Sequence, residues 1–270
     1  MLQLVENYLN KHIIGQRTIK RELSILLNEI ADGNNCSILL RGSSGSGKTF
    51  ISGICANYLL AKVHEDFSYY LMEGEDFRIR DTRINILDEV HKFTAQEILY
   101  PYLDSGKYTF FICTNEYDNL KEPLVNRCIN LDLEEYSIED LKTVAKQFFR
   151  KKKIEIDEKL YDVIIFNTRL VPRSVINISK RLYFIFKQDG IPGSPGELLN
   201  LIAYYFGLQD GLTELDRKYM EFLNRNGVAG INTLCANLNI PKGVIINEIE
   251  PYLIRREFIR ITPRGRKLND

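Results

Sequence analysis

The sequence predicts an α/β chain: a five-stranded parallel sheet wrapped by helices in its N-terminal half, then a helical segment and a compact, turn-rich tail. Three observations carry this prediction. Short apolar runs recur through the first 135 positions, each ending in polar residues. The first of them opens onto a glycine-rich loop that leads straight into a helical pattern. After about residue 136 the apolar spacing becomes helical and stays so until a cluster of turn residues near the C-terminus.

Composition sets the limits. With 270 residues, 44% of them hydrophobic, the chain has material for two or three packed domains. Its 36 Lys and Arg cancel 36 Asp and Glu, so the chain is no polycation, and any nucleic-acid surface has to be a local patch. The five cysteines (Cys36, Cys55, Cys113, Cys128 and Cys235) are odd in number and form no C-x-x-C pair. They read as reduced thiols in a reducing, cytoplasmic compartment, the host cytoplasm for a phage product. The N-terminal residues do not pattern as a signal peptide, and no run of about 18 apolar residues spans a membrane.

The elements follow in order. "CSILL" is the first buried strand. It meets Gly42-Ser43-Ser44-Gly45-Ser46-Gly47-Lys48-Thr49, which fits the Walker A pattern, and then a helix with Phe50, Ile51, Ile54, Cys55, Tyr58 and Leu59 at helical spacing. Gly42, Gly45 and Gly47 let the backbone wrap phosphates, Lys48 reaches the outer phosphates of ATP, and Thr49 ligates magnesium. A second strand, "FSYYLM", precedes "INILDE". There Asp88 is presented to magnesium at a strand end, and Glu89 polarises the attacking water. An extra strand between the two motifs, with a glutamate beside the aspartate, marks the additional-strand class of P-loop ATPases. "YTFFICTN" is the next buried strand, and Asn115 at its end can hold the attacking water in line. "EPLVNR" is a short helical stretch that ends at Arg127 before a fifth strand, "CINLDL". Arg127 reads as a finger acting on a neighbouring subunit's nucleotide. Ser137, with Glu139 and Asp140 behind it, caps the first of the following helices, and Pro172 stands at a first-turn position just before Arg173. In the tail, three helices and a turned strand pair read as a winged helix. Arg264 and Arg266 are exposed at its wing, among Arg255, Arg256, Arg260 and Lys267, a basic excess suited to a DNA backbone.

These motifs resemble the AAA+ ATPases: "IIGQ" before the first strand, Walker A, "ILDEVHK", a "CTN" sensor and "NR" at the finger position. A narrower resemblance is to the RuvB family, the Holliday-junction branch-migration motors of bacteria. It rests on "EILYPYLD", "LVPRSVINISKRL", "LTELDRKYMEFL" and "EPYLIRREFIRITPRGR", and runs from about Ile14 to Lys267. The resemblance implies an AAA+ P-loop domain over 1–135, a helical lid over 136–209 and a DNA-binding winged helix over 210–270. It implies adenine contacts from Ile14 and Gly15, a nucleotide-packing role for Tyr136 and a second-sensor role for the lid residue Arg173. It further implies ATP and magnesium as cofactors, duplex DNA as partner and a homo-oligomeric, hexameric ring. Two departures stand out. Only 26 positions separate Glu89 from Asn115, too few for the hairpin that docks on RuvA, so a RuvA-type partner is not implied. Ile261 replaces the basic residue expected before "TPRGR", beside Arg260. The trimming suits a divergent, phage-borne member.

The functional expectation is therefore a DNA-dependent ATP hydrolase that translocates duplex DNA. The alternative is a loader or protein-remodelling ATPase that uses the winged helix for protein contacts, or a DNA-binding switch with poor turnover.

Overall fold

A computed structural model describes residues 2–269 and divides the chain into two compact units, one up to Asp140 and one from Leu141 onward. In the first unit, α1 (Leu2–His12) and α2 (Arg17–Ala31) lead into β1 (Ser37–Arg41) and α3 (Lys48–Val63). Then come β2 (Phe67–Leu71), β3 (Ile84–Asp88), α4 (Tyr100–Asp104), β4 (Thr109–Thr114), α5 (Glu122–Val125) and β5 (Ile129–Asp132). The five strands form one parallel sheet in the order β2-β3-β4-β1-β5, as expected.

The three central strands are apolar along almost their whole length because both faces of the sheet are covered. Ile38, Leu40, Ile86, Phe111 and Cys113 pack on one side with α1, α2 and α3. Leu39, Leu87, Phe110 and Ile112 pack on the other with Val90, Phe93, Leu99 and Leu124. Such sheets place ligands at the carboxyl ends of their strands, and Gly42, Glu89 and Asn115 follow β1, β3 and β4 there.

The stretch from Glu89 to β4 is as short as its sequence suggests. It runs through 3-10 turns at Val90–Lys92 and Gln96–Leu99 into α4 and on to β4, and no strand pair interrupts it among the described residues. An aromatic cluster covers this side: the ring of Phe77 lies 5.1 Å from Tyr70 and 5.7 Å from Tyr102.

The second unit holds most of α6 (Ile138–Lys151), then α7 (Glu158–Phe166), α8 (Pro172–Asp189) and α9 (Pro195–Phe206). The tail follows as α10 (Glu214–Asn226), α11 (Ile231–Leu238) and α12 (Lys242–Val244), then a π turn over Ile245–Ile249 into α13 (Glu250–Arg255), and the wing strands β6 (Ile259–Thr262) and β7 (Gly265–Leu268). The division expected at 209/210 falls inside this unit. Arg169 pairs there with the buried Asp216, and Arg255 and Arg256 donate to the carbonyls of Leu170 and Phe166. No helix among the described residues is long and apolar enough to cross a membrane, and all five cysteines are free.

Candidate nucleotide site and wing

The loop after β1 has the conformation its glycines predict. Gly45 and Gly47 take φ of 78° and 104°, a region that L side chains rarely adopt. A Cβ at Gly47 would also come within 3.4 Å of the Tyr136 hydroxyl. Lys48 begins α3 and folds back, so that its Nζ donates to the carbonyls of Gly42 at 2.8 Å and Ser43 at 3.0 Å. The cation is thereby held over the loop.

Thr49 and Asp88 come together as expected: the Thr49 hydroxyl donates to Asp88 Oδ2 at 2.8 Å. Asp88 is buried at the end of β3. Glu89 follows it with φ 57°, a left-handed conformation uncommon for this residue type and of the kind that gathers at functional sites. Its Oε2 lies 3.1 Å from Lys92 Nζ and 3.5 Å from His91 Nε2. The hydrogen bond to Glu89 holds the Lys92 ammonium above its usual range. The other ring nitrogen of His91 faces the Thr114 hydroxyl at 3.3 Å, so a buried imidazole links Glu89 to the end of β4. Asn115 is the next residue, and its Oδ1 is buried with no hydrogen-bond partner among the described residues.

Of the remaining residues expected at this site, Tyr136, Ile14 and Gly15 belong to distant parts of the first unit and Arg173 to the second. The Tyr136 hydroxyl donates to the Ser46 carbonyl at 2.9 Å, and burial pushes its phenol up to about 12. Ile14 and Gly15 are half-buried, and a Cβ on Gly15 would meet the Asp140 carboxylate at 3.1 Å. Gln16 anchors their loop, because its side-chain amide exchanges hydrogen bonds with both backbone groups of Glu134. Arg173 is exposed on the first turn of α8, directly after Pro172.

The residues present fit a magnesium-bound nucleotide. Ser46 Oγ is buried in the loop with no partner among the described residues, where a phosphate oxygen would satisfy it. The Thr49 and Asp88 oxygens form the hard donor pair that magnesium takes beside phosphates.

Sequence reasoning missed several side chains of this site. Tyr69 donates to Asp88 Oδ2 at 2.8 Å. Its phenol is raised by burial first and by that hydrogen bond second. His91 and Lys92 flank Glu89. The signal for His91 and Lys92 was proximity in "DEVHK"; for Tyr69 only the register of β2 against β3 reveals the contact.

Arg127 lies where expected, between α5 and β5. Its Nε donates to Asp104 Oδ1 at 2.8 Å and its Nη1 to the Pro123 carbonyl at 2.8 Å, and the guanidinium sits 4.7 Å over the Tyr100 ring. The hydrogen bond to Asp104 raises the arginine above its usual range. These partners belong to α4 and α5, not to the glycine loop.

The wing requires a correction. Arg266 was expected to be exposed, but its Nε donates to Glu250 Oε1 at 2.7 Å and its Nη2 to Oε2 at 3.2 Å, with only 16% of the side chain exposed. Glu250 is buried and also accepts from the buried Tyr219 hydroxyl at 2.8 Å. A buried carboxylate needs a compensating cation, and Arg266 supplies it instead of facing a polyanion. Arg255 and Arg256 are likewise turned onto their own unit. Arg260 and Arg264 remain exposed and Lys267 is half-buried. Arg260 and Lys267 are directly paired across the wing strands and share one face, with Arg264 at the turn.

A family profile described as the RuvB C-terminal winged helix domain matches residues 209–270. The "Holliday junction branch migration complex subunit RuvB" of Thermotoga petrophila is 28% identical over 297 aligned positions, covering 94% of this chain and 86% of that protein. The subunit of the same name from Mycoplasmopsis pulmonis is 26% identical, covering 94% and 92%. Among solved structures, the Thermotoga maritima RuvB Holliday junction branch migration motor superposes with a TM-score of 0.80 at 24% identity, over 95% of this chain and 93% of that one. Domain III of the T. maritima replication initiation protein DnaA reaches 0.58 over 75% of this chain.

Proposed function

We propose that this chain, which belongs to the RuvB family, is an AAA+ ATPase that works as a ring and couples ATP hydrolysis to movement of duplex DNA, as in Holliday-junction branch migration. The observation that carries the reading is the Thr49–Asp88 hydrogen bond at the sheet's carboxyl edge, with Lys48 folded over the glycine loop and the Glu89 amide on Asp88, in a chain that carries a winged helix.

The loop amides and Lys48 bind the outer phosphates. Thr49 and Asp88 hold magnesium, which when bound neutralises charge on the phosphate oxygens. Glu89 accepts a proton from the attacking water, and Asn115 keeps that water in line. Ile14, Gly15 and Tyr136 serve the nucleoside side, and Arg173 serves the γ-phosphate-sensing role that its motif implies. Arg127 contacts the neighbouring protomer's nucleotide, with six protomers as the family's implied ring and the bacterial cytoplasm as its place of work. Arg260, Arg264 and Lys267 grip DNA phosphates. Arg266, which the sequence reading grouped with them, keeps Glu250 neutralised instead.

The short connection from Glu89 to β4 favours a second reading, a remodelling ATPase whose partner differs from RuvA. The test measures ATP turnover with no DNA, with duplex and with a four-way junction, for the wild type and Arg260→Ala/Arg264→Ala. The motor reading expects several-fold stimulation by DNA that disappears in the double variant. Stimulation by a protein partner alone, with DNA inert, would overturn it in favour of the second reading.

A further inference from the structure

We propose that Tyr69 is a positioning residue for the metal site: it locks the Asp88 carboxylate in the rotamer that serves magnesium. The inference rests on the reading of Thr49 and Asp88 as the metal-holding pair.

The argument begins with register. On parallel strands, residues at the same register position share a face, and the face repeats every second residue. Leu71 is paired with Asp88 and Tyr69 with Ile86, so Tyr69 stands on the face of Asp88, one diagonal step back. Diagonal neighbours lie about 7–8 Å apart, within reach of an aromatic side chain. The phenol spans that gap and puts its hydroxyl 2.8 Å from Asp88 Oδ2, while 43% of the residue stays exposed at the edge strand β2.

An ionised carboxylate has about four acceptor positions. Three are occupied here: Oδ2 accepts from Thr49 Oγ1 and from Tyr69, and Oδ1 accepts from the Glu89 amide at 3.0 Å. The donors come from three separate elements, α3, β2 and the turn after β3, so the carboxylate can neither rotate nor advance toward an ion without losing one of them. A carboxylate so held is fixed in one orientation, ready for an ion that Thr49 and Asp88 would hold, with one acceptor position left among the described residues. Outer partners of this kind are worth about 10–100-fold in metal affinity.

The experiment titrates magnesium into the full chain and reads two signals: binding of a fluorescent ADP analogue and ATP turnover. Three proteins are compared: wild type, Tyr69→Phe and Asp88→Asn. Tyr69→Phe keeps the ring and removes only the hydroxyl. The expected result is a magnesium midpoint raised by about tenfold in both signals, with lost turnover recovered by added magnesium and metal-free ADP binding equal to wild type. An unaltered midpoint in Tyr69→Phe, where Asp88→Asn does shift it, overturns the role of Tyr69 alone. A fall in metal-free ADP binding that matches the fall with magnesium assigns Tyr69 to the fold and also overturns it. If Asp88→Asn leaves the midpoint unchanged, the underlying reading of the metal pair fails, and this inference fails with it.

Discussion

Arg264 and Arg266 stand two positions apart in "TPRGR", and the structure gives them different surroundings. Arg264 is exposed at the wing turn. Arg266 neutralises Glu250, which sits at the start of α13 beside Tyr219. Removing one partner of a buried pair strands the other charge. Arg266→Ala is therefore expected to destabilise the protein by about 3 kcal/mol, seen as a lower denaturant midpoint. Arg264→Ala should leave stability within about 0.5 kcal/mol and lower duplex affinity, reducing the salt slope of binding by about 1. Equal stability of the two variants would contradict this division. The sequence reading placed both arginines at the exposed wing, because nothing in "TPRGR" shows that Glu250, distant in sequence, packs beneath the second.

A similar lesson holds for the helix that leads into the site. α2 begins with no side-chain cap of its own; its N-cap, Gln16, sits at φ 55°. Its exposed amides are satisfied from far along the chain, where the Glu134 carboxylate accepts from Arg17 at 3.1 Å and Thr18 at 3.0 Å. A hydrogen bond from the Thr18 side chain foremost, and then those from the two amides, hold Glu134 below the usual carboxylate range. A depressed folded-state value means that Glu134 adds stability above the unfolded-state pKa of about 4.3 and loses it as pH falls through the lower folded value. The stability gap between wild type and Glu134→Gln, measured by denaturant unfolding, should be present at pH 7 and shrink as pH drops below about 4. A gap independent of pH would assign the effect to packing. The cap of α6 was legible in advance, because Ser137 and Asp140 are close in sequence and bond each other. The cap of α2 was not, because its carboxylate arrives from beyond β5.

Whether the chain acts alone or in a ring turns on Arg127. Asp104, Pro123 and Tyr100 hold its guanidinium on the surface of α4 and α5. Glu89→Gln should bind ATP yet lower turnover by about 10²–10⁴-fold, and Arg127→Ala should be similarly slow in a ring. Mixed together, the two variants should recover turnover, since a protomer with intact Glu89 then meets a neighbour with intact Arg127. If the mixture gives only the sum of its parts, Arg127 does not act across protomers. At this level the chain parts into two compact units at Asp140 and Leu141, and the tail expected from residue 210 lies within the second. Arg169, Arg255 and Arg256 bind the tail to the preceding helices, and such contacts leave no periodic trace.

What neighbouring residues dictate could be read directly from the sequence. The strand, glycine loop and helix around Lys48, the acidic pair ending β3, the sheet of five strands and the turned wing all follow from local periodicity and backbone freedom. What depends on strand register and on charges meeting across the fold is decided only by the tertiary structure. Tyr69 on Asp88, Glu134 on α2 and Arg266 on Glu250 belong to this group. The reason is that a hydrogen bond between distant segments is chosen by how the segments pack, and the same side chain reads identically in sequence whether it meets water, DNA or a buried carboxylate.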